Sequence, residues 1–314
     1  MQKLSRREFL RLAMASGVAA GTTGLGMGKI AEALANTQAL PPVVWLQGQS
    51  CSGCSVSILN TVYPDIAEVI TDVISLKYHT TIMSGTGDVS THVIDEVMAK
   101  KQGKIVLVVE GSIPTISEEY CTLGRRNGKP IPFSELVLEV AAKSQASLAF
   151  GACSAYGGIP AATGNPSGAV ALSSWLKQND IAIPVINVGG CPPHPDWMVG
   201  TIAHYLWYGV PELDDAGRPK MFYPSTHENC ERYSYYQAGK FAKDYGEPYC
   251  LYELGCKGPI SHCDVMMRGW NNGTNNCITC GAPCIGCTEP TYPDHYGDGL
   301  SGMISSLEAP GKPA

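Results

Sequence analysis

The stretch Val43-Val44-Trp45-Leu46-Gln47-Gly48-Gln49-Ser50-Cys51-Ser52-Gly53-Cys54 passes from an unbroken apolar run into a polar, glycine-containing loop with two cysteines three residues apart. A short β-branched run that is apolar at successive positions predicts a strand buried on both faces. Similar runs follow at 69–76, 105–109, 148–150 and 185–188, and between them 89–100, 134–143 and 167–178 space their apolar residues as helices do, several behind a Ser cap. Alternation of this kind argues for an α/β fold in which helices wrap a parallel sheet.

Polar loops follow four of these strands directly. They are the Gly48 to Cys54 loop, Glu110-Gly111-Ser112-Ile113-Pro114-Thr115, Gly151-Ala152-Cys153-Ser154-Ala155-Tyr156-Gly157-Gly158 and Gly189-Gly190-Cys191-Pro192-Pro193-His194-Pro195. All four therefore gather at the carboxyl edge of the sheet, where ligands bind in such folds. Glycine there lets backbone N–H groups approach a ligand and donate to it. One more helix is predicted near 197–208, and a domain boundary near 210–219.

Beyond that boundary the composition changes. Cys277, Cys280, Cys284 and Cys287 fall within eleven residues, after Cys263 and the run His227, Cys230, Cys250, Cys256. So many soft ligands in a stretch with little apolar periodicity predict iron-sulfur clusters in place of a packed core.

The chain has 314 residues, 44% of them hydrophobic, which is enough for one sizeable core and a smaller second unit. Its first 35 residues carry five basic and two acidic groups, a net +3, so the remainder stands at −9 where the whole chain stands at −6. That charge argues against nucleic acid as a partner. The same 35 residues read as an export signal: a basic start, a mildly apolar glycine-rich middle, and Ala33-Leu34-Ala35 as a small-x-small cleavage site. Ser5-Arg6-Arg7-Glu8-Phe9-Leu10 is a twin-arginine signature, an address for proteins exported already folded, and it predicts a periplasmic location. No other segment resembles a transmembrane helix, and the stretch 288–314 is polar.

Thirteen cysteines in an exported protein raise the possibility of disulfides. The number is odd, however, and CxxC spacing suits metal better. Cys51-x-x-Cys54 aims two thiolates at one cluster, although such a motif in isolation also serves dithiol redox chemistry or zinc. Cys153 and Cys191, at the same sheet edge, complete four ligands. His227-x-x-Cys230 with Cys250 and Cys256 makes a set of three thiolates and one imidazole, and the neutral imidazole should raise that cluster's potential. Cys263, Cys277, Cys284 and Cys287 form a third set, in which Cys277 and Cys280 could exchange roles; a zinc site of Cys277, Cys280, Cys284 and Cys287 competes with it. Cys121 reads as a free structural thiol.

These motifs, with Gly190-Cys191-Pro192-Pro193-His194-Pro195-Asp196-Trp197, His227-Glu228-Asn229-Cys230, Gly255-Cys256-Lys257-Gly258-Pro259 and Pro283-Cys284-Ile285-Gly286-Cys287, resemble in order the motif series of the nickel-iron hydrogenase small subunit. The resemblance runs from the signal to about Tyr296. It implies a flavodoxin-like domain over 36–209, with a proximal 4Fe-4S cluster on Cys51, Cys54, Cys153 and Cys191. An irregular iron-sulfur domain over 210–314 follows, with a distal 4Fe-4S cluster on His227, Cys230, Cys250 and Cys256. The active-site metals belong to a separate large subunit, so the chain would relay electrons in reversible H2 oxidation and would not cleave hydrogen alone.

Most relatives carry proline where Cys277 stands and hold a medial 3Fe-4S cluster on the residues corresponding to Cys263, Cys284 and Cys287. The fourth thiolate here predicts a medial 4Fe-4S cluster. That trait, with Trp270-Asn271-Asn272-Gly273, is similar to the nickel-iron-selenium branch. Oxygen-tolerant relatives add cysteines at the positions of Gly53 and Gly158; this chain does not, so an ordinary four-cysteine proximal cubane is expected. Many membrane-bound relatives continue into a C-terminal helix that is not expected here, which suggests a periplasmic multihaem c-type cytochrome as electron partner. Thirteen acidic against eight basic residues over 206–314 would suit a basic carrier. Glu110, at the cluster edge, is a candidate for tuning the proximal centre or relaying a proton. The alternative reading is the iron-sulfur subunit of another exported redox complex.

Overall fold

The structure is a computed structural model that describes residues 40–294; the expected export signal lies outside the described residues. Five parallel strands form the central sheet: β1 (Pro42–Gln47), β2 (Ser75–His79), β3 (Ile105–Glu110), β6 (Ser144–Phe150) and β7 (Val185–Val188). Their order in space is β2-β1-β3-β6-β7. Every residue of β1 and of β3 is buried, as unbroken apolar runs require of central parallel strands. Because β2 and β3 leave β1 on opposite sides, the order reverses at the β1/β3 pair, and a crevice opens beyond their carboxyl ends. Gln47 and Glu110 are register partners at that end.

The pleat divides the core in two. Val43, Trp45, Val106, Val108, Leu148 and Phe150 face one cluster, which includes Trp197 and Ile202 of helix α6 (Pro195–Tyr208). Val44, Leu46, Leu107 and Val109 face the other, beneath α2 (Gly87–Lys100), α3 (Phe133–Ala141) and α5 (Leu172–Gln178). Short helices α1 (Gly53–Ile58) and α4 (Gly151–Tyr156) follow β1 and β6 and carry Cys54 and Cys153.

Three details differ from expectation. The run 69–76 is not one strand: Val69–Val73 forms a π-helical turn and β2 begins at Ser75. A hairpin of β4 (Thr122–Arg126) and β5 (Lys129–Pro132) intervenes between β3 and α3, closing on Asn127 and Gly128, both at positive φ. The expected Ser caps are absent, since α3 starts behind Pro132 and α5 behind Ala171, neither with a side-chain cap.

After α6 the chain turns irregular. Among the described residues beyond α6 there is no strand, only isolated bridges and short helices such as α7 (Tyr233–Gln237) and α8 (Val265–Arg268). The apolar cluster of this part is Ala242, Leu251, Cys256, Ile278 and Cys284, so sulfur supplies much of its interior. It is fastened to the sheet-bearing part by buried polar contacts. Trp197 Nε1 donates to Asp264 at 2.7 Å, Tyr223 Oη donates to Gly189 O at 2.9 Å, and Arg268 reaches Asp196 at 2.9 Å. Among the described residues no helix is long and apolar enough to cross a membrane.

Candidate metal centres

All thirteen cysteines fall within the described residues, and every one is a free thiol, so no disulfide staples the fold. Twelve of the histidine and cysteine side chains singled out above gather into three sets.

The first set sits at the sheet's carboxyl edge, in the crevice at the β1/β3 reversal. Cys51 and Cys54 follow β1, Cys153 lies on α4 after β6, and Cys191 follows β7. Burial pushes the Cys54 thiol far up, and the nearby Glu110, Cys153, Cys191 and Cys51 push it further. Burial likewise takes Cys153 up to about 12, with Cys191 the next cause. Mutual electrostatic influence of this kind requires proximity, and thiols so reluctant to ionise together need a cationic centre between them if they are to become thiolates. Glycine makes the space. Gly151 stands at φ +89, and a Cβ there would lie 2.5 Å from Cys54 Sγ; one at Gly158 would lie 2.8 Å from Cys153 N.

Glu110 lies directly beneath this loop and is wholly buried. Its carboxylate accepts from Trp45 Nε1 and Gln47 Nε2, both at 3.0 Å, from the backbone N–H groups of Cys54 at 3.1 Å and Ser55 at 3.2 Å, and from Ser55 Oγ at 2.5 Å. His79 extends the network. Its Nδ1 accepts from Thr81 N at 3.2 Å, which places the proton on Nε2, 3.2 Å from Ser55 Oγ. Burial lowers the His79 pKa to about 4 against the opposing pull of Glu110.

The second set lines one pocket, walled by His227, Cys230, Cys250 and Cys256. His227 Nε2 is buried there with no hydrogen-bond partner. An orphaned imidazole nitrogen is costly unless something else binds the ring, and burial holds the ring's pKa down in the neutral form that ligates metal. Tyr233 and Tyr236 meet the ring edge-on, at centroid distances of 5.0 Å and 4.3 Å. Backbone N–H groups are aimed at sulfur: Arg232 N donates to Cys230 Sγ at 3.4 Å, and Gly258 N to Cys256 Sγ at 3.4 Å.

In the third set, burial pushes Cys287 far up, and Cys284, Cys263 and Cys277 add to the shift. Cys263 is taken up to about 12 by burial, with Cys284 and Cys277 contributing. These four therefore lie together. Cys280 is exposed and accepts from Asn275 Nδ2 at 3.1 Å. Of the two exchangeable cysteines, Cys277 is the one within the group. Among the described residues no three His, Cys, Asp or Glu side chains converge as a single ion such as zinc demands.

The family described as the C-terminal part of the NiFe/NiFeSe hydrogenase small subunit matches residues 222–298, and that described as NADH ubiquinone oxidoreductase, 20 Kd subunit, matches 51–205. The periplasmic [NiFeSe] hydrogenase small subunit of Desulfomicrobium baculatum is 44% identical, over 93% of this chain and 96% of its own length. The periplasmic [NiFe] hydrogenase small subunit of Solidesulfovibrio fructosivorans is 38% identical, over 93% and 91%. The chain belongs to the nickel-iron hydrogenase small subunit family. A reduced, active form of the Ni-Fe-Se hydrogenase from Desulfomicrobium baculatum contains a chain of TM-score 0.79 and 45% identity, covering 82% of this small subunit and 97% of that chain. The actinobacterial-type NiFe-hydrogenase of Ralstonia eutropha gives 0.75 at 30% identity, over 91% and 89%.

Two residues of this small subunit join the sites without having been marked by their motifs: His79 and Thr226. Nothing in the sequence distinguishes His79, a lone histidine in a strand. Thr226 stands directly before His227, a position that carries a signal. Cys121 packs against the apolar core, and burial takes its thiol up to about 11, consistent with an inert structural role.

Proposed function

We propose that this chain is the electron-relaying small subunit of a periplasmic hydrogenase of the nickel-iron-selenium type, exported folded by the twin-arginine route. A 4Fe-4S cluster would be held by each set: Cys51, Cys54, Cys153 and Cys191 proximally, Cys263, Cys277, Cys284 and Cys287 medially, and His227, Cys230, Cys250 and Cys256 distally. The boundary between sheet-bearing and cluster-bearing parts would fall at 209/210. Bound clusters supply one-electron transfer at potentials between roughly −700 and +450 mV, according to ligand, charge and exposure.

The chain's own residues set those variables. Backbone N–H groups aimed at Cys230 and Cys256 favour the more negative, reduced state. The buried shell around Cys263, Cys284 and Cys287 excludes water. Glu110 anchors the Cys54 loop through five accepted hydrogen bonds and places fixed negative charge beside that site. With every donor already committed to it, tuning is the role its geometry supports over proton relay.

A large subunit that carries the nickel-iron site would cover the exposed Cys51 and the adjoining groove walled by Val56, Tyr63, Pro192 and Trp270. Val56 and Tyr63 are exposed apolar groups at the head of the chain's cluster series. A multihaem c-type cytochrome would meet the acidic second domain, which carries thirteen acidic and eight basic residues over 206–314. The placement of Cys277 among Cys263, Cys284 and Cys287 carries the reading of a fourth medial ligand. Native purification tests the whole: about twelve irons per chain, a co-purifying large subunit and hydrogen-dependent cytochrome reduction are expected. A colourless preparation, or a strong three-iron signal in the oxidised wild-type protein, would count against it.

A further inference from the structure

Thr226 is 1% exposed, and its hydroxyl donates to Cys263 Sγ at 3.3 Å. Its position is unusual. The next residue, His227, points its ring into the distal pocket, and Thr226 itself lines that pocket together with Cys284, Met266 and Ile278. The Thr226 backbone N–H is fixed to Ser261 O at 2.9 Å, which holds the residue in the wall between the second and third cysteine sets. One dipeptide thus bonds a sulfur of one set and presents an imidazole to the other.

The bond is directional. Thr226 Oγ is a hydroxyl in an apolar wall, and a buried hydroxyl is costly unless its proton finds an acceptor. The acceptor here is sulfur. Ser261, the other hydroxyl near this set, differs: its oxygen is 3.5 Å from Cys284 Sγ, but its proton goes to Lys257 O at 2.7 Å. Of these two hydroxyls, Thr226 is the one that offers its proton to a sulfur of the set. A donor of that kind stabilises the state carrying more negative charge on sulfur.

Resting on the medial ligand set proposed above, we propose that Thr226 is a positioning residue that raises the reduction potential of the medial centre by donating to the Cys263 thiolate. Reduction adds one electron to that centre and moves no proton, so the hydroxyl acts only through the strength of its bond. The distal centre, although adjacent in sequence through His227, receives nothing from this hydroxyl.

The test uses the assembled heterodimer in wild-type, Thr226→Val and Thr226→Ser forms, with iron analysis and a redox titration followed by electron paramagnetic resonance. Valine keeps the shape and removes the donor; serine keeps the donor. Expected are equal iron contents, a lower midpoint potential for one centre of three in Thr226→Val, and its return to the wild-type value in Thr226→Ser. Where valine does not assemble, Thr226→Ala carries the same comparison. Three unchanged potentials in a fully loaded Thr226→Val or Thr226→Ala protein overturn the role of Thr226 while leaving the relay intact. A wild-type protein without three iron-sulfur centres overturns the relay itself, and this inference with it.

Discussion

The backbone N–H of Cys284 donates to Sγ of Cys256 at 3.3 Å, so a cysteine of the third set touches a cysteine of the second with no side chain between them. Lys257 N–H returns the contact, donating to Cys284 O at 2.7 Å. A backbone hydrogen bond from Cys191 to the Cys287 sulfur joins the first set to the third in the same manner. The sets therefore lie in series, each linked to the next by a peptide group of one cysteine and the sulfur of another.

That series makes Cys284 a shared residue. Cys284→Ala is expected to remove about one cluster's iron, about four of about twelve atoms, and to move the distal potential as well, because the peptide facing Cys256 loses its anchor. Cys263→Ala, whose sulfur faces Thr226, should cost the same iron and leave the distal potential in place. Iron analysis with a redox titration separates the two. Equal distal potentials in both variants would remove the special standing of Cys284.

The two ambiguous cysteines predict opposite outcomes. Cys280 is exposed and bonded to Asn275, so Cys280→Ser should keep all iron and all three signals. Cys277 lies with Cys284 and Cys263, so Cys277→Ala should lose one iron from the medial site and give the oxidised signal of a three-iron centre. A three-iron signal from Cys280→Ser instead would reverse the assignment.

Glu110→Gln replaces an acceptor of five hydrogen bonds by a group that must donate to one or more of the same partners. The expected cost is about 2–4 kcal/mol of stability, since donors in a wholly buried site are left unpaired. Removing negative charge near Cys54 should also raise the proximal potential. Urea unfolding and the same titration measure both. An unchanged potential would confine Glu110 to an anchoring role.

Much of this was legible in the sequence because the decisive residues are chemically conspicuous. The runs at 43–46 and 105–109 became strands because central parallel strands are apolar on both faces and read without alternation. The edge strand β2 is harder to place because Ser75, Lys77 and His79 dilute it, whereas Val69 to Val73 is β-branched yet helical under tertiary packing. The hairpin closing on Asn127-Gly128 carries a turn signal, but its flanking strands are short and polar and lack the apolar runs of the main sheet. The Cys284–Cys256 contact and the His79–Ser55–Glu110 network join residues 24 to 55 positions apart, and no local pattern encodes such meetings.

His79 gives the fold a pH dependence of definite sign. Its pKa falls from an ordinary 6.5 to about 4 in the folded protein because burial penalises the imidazolium. Between those values the unfolded chain binds a proton that the folded chain does not. This contribution to stability is therefore complete above about pH 6.5 and is lost progressively as the pH falls towards 4, by on the order of 2–3 kcal/mol. Below that both states are protonated and the loss stops. His79→Gln removes the titrating group while keeping a side chain able to donate towards Ser55 Oγ. Between about pH 7 and about pH 4.5 the urea midpoint of the wild-type protein should fall by more than that of His79→Gln, whereas above about pH 7 the difference between the two curves should no longer change with pH. Parallel curves across the range would mean that the Nε2 proton is not held as the bond from Thr81 N requires.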